Sequence, residues 1–177
     1  MTDTAAPGVD RDVYPMPAFV TFPVTDLRAS TRWYEALGFV VLATLPGPGG
    51  GDGLVHLRRQ RHQDLLLVPG PPTPGPRVTF AAGEEDLDER AAQLRRRAAG
   101  GSVEGPVDTP WSTRDLVATD PDGYVVVLTA PRLADVAAAP EWTDAVTGSL
   151  GRRPGEGGWR SGGELSAPGR WAGRGPR

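Results

Sequence analysis

The sequence predicts an α+β fold in which one strand–helix–three-strand unit, βαβββ, is used twice. Three observations carry this. The tripeptide Val-Thr-Phe occurs at residues 20–22 and again at 78–80. Each copy leads through an acidic cap, Asp26-Leu27 or Asp86-Leu87, into an amphipathic helical pattern that stops at Gly38 or Gly100. Further short apolar runs follow each helix, and the last two close around the turn signal Asp120-Pro121-Asp122-Gly123. A match that continues through strand, cap and helix marks one supersecondary unit duplicated. Two similar halves also point to a pseudo-symmetric cavity between them.

Residues 1–14 are polar without periodicity and are expected to form a flexible arm. Residues 19–24 alternate as a strand. Asp26 caps a helix over 27–37 that buries Trp33, Tyr34 and Leu37, and Gly38 suits a left-handed cap. Strands follow at 39–45, 54–59 and 64–68, with a Gly-rich connection at 46–53. Residues 69–76 are a Pro-rich linker. The second unit has a strand at 78–82 and a helix at 84–99. That helix has acids early and Arg95, Arg96 and Arg97 late, which complements its dipole. Strands follow at 103–107, 114–119 and 124–129. The modules are thus bounded at 17–70 and 77–131, within a domain spanning 15–131. A peripheral helix is expected within 132–147. Residues 148–177, rich in Gly, Arg and Pro, cannot bury enough apolar surface to order themselves.

A chain of 177 residues suffices for one domain with a real core. The absence of Cys excludes disulfides, thiolate metal sites and Cys nucleophiles. No apolar run approaches a membrane span and no basic-then-apolar leader is present, so a cytoplasmic protein without membrane partners is expected. All 19 basic residues are Arg, a bias that fits a GC-rich bacterial genome. From Ser149 onward six Arg face two Glu, a charge of +4. The whole chain is −3, which leaves −7 for residues 1–148. An acidic body disfavours nucleic acid.

Two stretches resemble the vicinal oxygen chelate superfamily of glyoxalases, extradiol dioxygenases and bleomycin-resistance proteins. One is Phe22-Pro23-Val24-Thr25-Asp26-Leu27-Arg28-Ala29-Ser30 with Trp33-Tyr34-Glu35-Ala36-Leu37-Gly38-Phe39. The other is Asp120-Pro121-Asp122-Gly123-Tyr124 with its following apolar strand. The resemblance covers both halves. It implies sheets curved into a cup, with helices on the convex face, and a homodimer in which modules are often exchanged. It also implies where metal-dependent members hold their ligands. Here those positions carry Phe19, Arg77 and Val127, and the remaining ligand strand offers Gln63 and Asp64. Phenylalanine and valine have no lone pair, and Arg has no acceptor. A bound metal or other cofactor is therefore not expected.

Strand alternation then assigns the concave face. If Val55 and Leu57 lie under a helix, His56 and Arg58 face the cup, as do Phe19 and Thr21. Arg77 and Thr79 follow from the repeat, and Val125 and Val127 from the last strand. Trp111, in a loop that resembles the Trp-x-x-Arg stretch of bleomycin-resistance-like members, is placed to stack on a planar ligand. The alternative is Trp111 packed on the hairpin, with Arg114 paired to Asp115 or another acid. These residues make an apolar, aromatic pocket with a few polar anchors, as small-molecule sites usually are.

The glycine-rich run at 47–53 lacks the Lys-Ser/Thr of a phosphate cradle. Ser30 and Ser112 have no His–acid partners at motif spacing. The expected function is metal-independent binding or sequestration of a small molecule, such as an antibiotic. The alternatives are a divergent glyoxalase-like lyase or dioxygenase recruiting metal through His56, His62 and Asp64, or a metal-free enzyme using His56 as acid or base.

Overall fold

The structure, a computed structural model, describes residues 9–12, 16 and 18–138, with side chains to Asp135. The first unit runs β1 (Phe19–Val24), α1 (Leu27–Ala36), β2 (Val40–Pro46), β3 (Asp52–Arg59) and β4 (Gln63–Pro69). The second runs β5 (Val78–Ala81), α2 (Leu87–Arg97), β6 (Ser102–Asp108), β7 (Thr113–Thr119) and β8 (Val125–Pro131). α3 (Leu133–Ala138) follows. The sheets are ordered β1-β4-β3-β2 and β5-β8-β7-β6. In each, the first strand pairs parallel with the last and the others pair antiparallel. One topology twice is what the sequence repeat implies. The expected tail at 148–177 and the rest of the helix expected within 132–147 lie outside the described residues.

Local chemistry sets the helix ends. Asp26 accepts from the backbone N–H of Ala29 at 2.9 Å and starts α1. Gly38, at φ +100°, ends it in the left-handed region. α2 begins three residues later than the expected Glu84. Gly83 turns at φ +63°, and Asp86 accepts from the N–H groups of Asp88 and Glu89, so the cap falls on Asp86. The N-terminal acids Glu84 and Glu85 precede the helix, and Glu85 is used elsewhere.

Both sheets turn their helix-bearing faces to a single core. Phe22, Leu57 and Leu65 of the first sheet join Phe80, Leu116 and Leu128 of the second, together with Trp33, Tyr34 and Leu94 from the helices. Two reciprocal clasps hold the units together. The end of β1 meets the β7–β8 turn. There Thr25 N–H donates to Asp122 Oδ2 at 3.0 Å, and the Tyr124 hydroxyl donates to Pro23 O at 2.9 Å. The Phe22 and Tyr124 rings stack at 4.1 Å, and the buried Tyr34 hydroxyl donates to Asp120 Oδ2 at 2.9 Å. The end of β5 meets the β3–β4 turn in the same manner. Arg59 and Gln63 donate to Ala81 O at 2.9 and 2.8 Å, and Gln60 donates to Ala82 O at 2.6 Å. Arg59 and Arg90 both pair with Glu85. Burial, with Arg90 nearby, lowers the Arg59 pKa to about 10.

Candidate functional site

The nine residues expected to line the cup fall into two groups on separate sheets. On the first sheet, parallel pairing sets Phe19 beside Asp64 and Thr21 beside Leu66. Antiparallel pairing sets Arg58 beside Asp64 and His56 beside Leu66. These side chains share the face opposite the helix, as alternation requires. Phe19 is 53% exposed and Thr21 is exposed, whereas His56 and Arg58 are buried.

Both converge on Asp64. Asp64 Oδ1 accepts from Arg58 Nε at 2.7 Å and lies 2.6 Å from His56 Nε2. Arg58 Nη1 donates to the backbone carbonyls of Asp10 and Asp12 at 3.1 and 2.5 Å. Residues 10–12 of the N-terminal segment therefore lie across this part of the face. Asp64 Oδ2 is buried and has no hydrogen-bond partner among the described residues. Sequence reasoning offered Asp64 only as a potential metal ligand, alone on its strand or with His56 and His62. Its central role follows from the register, which sets Phe19 and Arg58 on either side of it. The part played by the arm had no sequence signal, because it acts through backbone carbonyls.

On the second sheet, Thr79 pairs with Val127, and Val127 also pairs with Val117. Thr79 and Arg77 are exposed, Val125 is half-buried, and Val127 is buried. Trp111 projects from the β6–β7 loop with 71% of its surface exposed, so it does not pack on the hairpin. The loop itself is tied down. Thr109 N–H donates to Thr113 O, Trp111 N–H to Thr109 Oγ1, and Arg132 N–H to Ser112 O. Ser112 sits at φ +56°. Arg114 pairs with Asp108 and Asp88 rather than with Asp115.

His62, offered as a metal ligand in one reading, sits in the β3–β4 turn at φ +61°. Among the described residues no group of three or more His, Cys, Asp or Glu side chains could hold a metal ion. A cleft of about 230 Å³ lies between α1, β2 and β3, lined by Leu27, Arg28, Arg32 and Asp52 among others, and includes none of the nine.

A family model described as the Glyoxalase/Bleomycin resistance protein/Dioxygenase superfamily matches residues 17–128. The chain belongs to this superfamily. Among solved structures, members of similar sequence include TnmS3, an antibiotic binding protein from Streptomyces sp. CB03234. It is 32% identical over 64% of this chain and 93% of that one, with a TM-score of 0.51. A glyoxalase/bleomycin resistance protein from the same strain is also 32% identical, over 62% and 96%, with a TM-score of 0.49. An integron cassette protein from the mobile metagenome of a Halifax Harbour sewage outfall is 24% identical over 63% and 95%, with a TM-score of 0.51. Among curated proteins none matches. Within the superfamily, this member carries Phe19, Arg77 and Val127 at the positions where the resemblance places metal ligands.

Proposed function

We propose that this protein binds and sequesters a small molecule, with antibiotics the leading class, and does so without metal. One observation carries the reading: the aromatic side chains of the open faces are exposed, while the candidate acid–base group is already engaged. Phe19 and Trp111 offer contact area to a planar ligand. The His56 ring is buried, and its Nε2 faces Asp64, which Arg58 also holds. Similarity to an antibiotic binding protein over nearly all of that protein's length supports the same reading.

In this reading the binding domain spans residues 15–131 and works in the cytoplasm. No described helix is long and apolar enough to cross a membrane. The active form is a homodimer. A second copy would bring the face of Thr79 and Val127 over the face of Phe19 and Thr21, closing a cup that each unit leaves open. The test is calorimetric titration with a panel of aromatic and peptide antibiotics, bleomycin included. Sedimentation should show the size of a dimer. Binding to at least one compound is expected. A panel without binders, together with turnover of a hemithioacetal or catechol, would replace this reading with the enzyme.

A further inference from the structure

We infer that Arg58, Asp64 and Phe19 form a subsite for a neutral aryl carboxamide, and that residues 10–12 of the N-terminal segment occupy it as an internal stand-in. The inference rests on the binding reading above and names the chemistry that one face would take.

Three features define the subsite. The Arg58 guanidinium takes two neutral backbone carbonyls, from Asp10 and Asp12. A ligand replacing them must offer an acceptor oxygen. Asp64 Oδ2 is buried without a donor among the described residues, and leaving such an acceptor unpaired is costly. The same ligand gains by offering an N–H or O–H. Phe19, next to Asp64 in the β1–β4 register and 53% exposed, offers a ring face.

Charge narrows the class. Asp64 Oδ1 already faces Arg58 Nε at 2.7 Å and His56 Nε2 at 2.6 Å. A carboxylate would add a second negative charge beside Asp64 in a desolvated site, whereas a carboxamide supplies acceptor and donor with none. The peptide carbonyls of the arm are themselves neutral, which fits this choice. Ligand and arm therefore compete for Arg58, and ligand entry releases residues 10–12.

The test uses the full chain and three probes of similar shape. Benzamide has acceptor and donor, acetophenone has the acceptor alone, and benzoate is charged and has no donor. The readout is cleavage at the bond preceding Asp12 by an endoprotease specific for aspartate, followed by mass spectrometry. Benzamide should accelerate that cleavage several-fold, acetophenone less, and benzoate not at all. Asp64→Asn removes the balancing charge and places an amide at the orphan position, so its order of preference should invert toward benzoate. If Asp64→Asn does not fold, the wild-type order still decides. Equal effects of benzoate and benzamide, or cleavage indifferent to all three, would overturn the inference. If an antibiotic from the panel still binds while benzamide does nothing, the subsite falls and the binding function stands. If neither binds, both fall.

Discussion

Tyr34→Phe tests the clasp that positions the two faces. It removes one hydroxyl and leaves the ring to pack, so the cavity change is negligible. What it removes is a 2.9 Å bond into a buried carboxylate. Asp120 Oδ1 keeps the N–H groups of Asp122 and Tyr124, at 3.0 and 2.8 Å, while Oδ2 loses the Tyr34 donor. Hydrogen bonds to charged groups contribute roughly 1.5–3 kcal/mol, so about 2 kcal/mol is expected at neutral pH.

The pH dependence identifies the cause. Burial raises the Asp120 pKa above its ordinary value of 3.8, while bonds from Tyr124, Tyr34 and Asp122 pull it back. A carboxyl with a raised folded pKa contributes stability that is full below its unfolded value and is lost as pH rises through the folded value. Without the Tyr34 bond the folded value rises further, at about 1.4 kcal/mol per pKa unit. The variant's deficit should therefore be small below the ordinary carboxylate range and grow toward neutrality. Urea denaturation of both proteins at several pH values measures it. A deficit of equal size at acid and neutral pH would refute the assignment to Asp120.

Trp111→Ala should weaken any ligand found by calorimetry by roughly thirtyfold, about 2 kcal/mol, while moving the melting temperature little, because the ring is 71% exposed. A lower melting temperature with unchanged affinity would make it a packing residue. Gly101→Ala should be strongly destabilising. The residue holds φ +74°, and an added Cβ would lie 2.1 Å from Thr119 O, so backbone must move. A melting temperature like that of the wild type would count against this β6–β7 geometry. Elemental analysis after dialysis against zinc, nickel or iron should find no stoichiometric ion. One tightly held ion per chain would revive the lyase or dioxygenase.

The repeat made the fold legible, because strand, cap, helix and turn signals are local and occur twice. Element ends were legible to within a few residues. At the start of α2 the acids Glu84 and Glu85 extend the helical pattern ahead of its Asp86 cap, and the structure engages Glu85 with Arg59 and Arg90 instead. Alternation placed His56 and Arg58 opposite Leu57 correctly, since parity is exact in a strand. It could not say that they would be covered. For Arg58 that depends on the path of residues 10–12, whose contacts to it are made by backbone carbonyls common to any sequence. Asp64 was visible as a residue but not as a hub, because hub character comes from pairing across three strands.

The reciprocal clasps make the covalent connection between the units nearly redundant. Each unit ends its first strand against the other's last turn, so hydrogen bonds join the units at two places, with the Phe22–Tyr124 stack at the first, and the linker adds the Thr73 N–H bond to the Tyr124 hydroxyl. Such a chain is expected to tolerate a cut there. The halves resemble two subunits of an ancestral pair that share one polypeptide, and a split chain would reassemble by the contacts that now hold it whole.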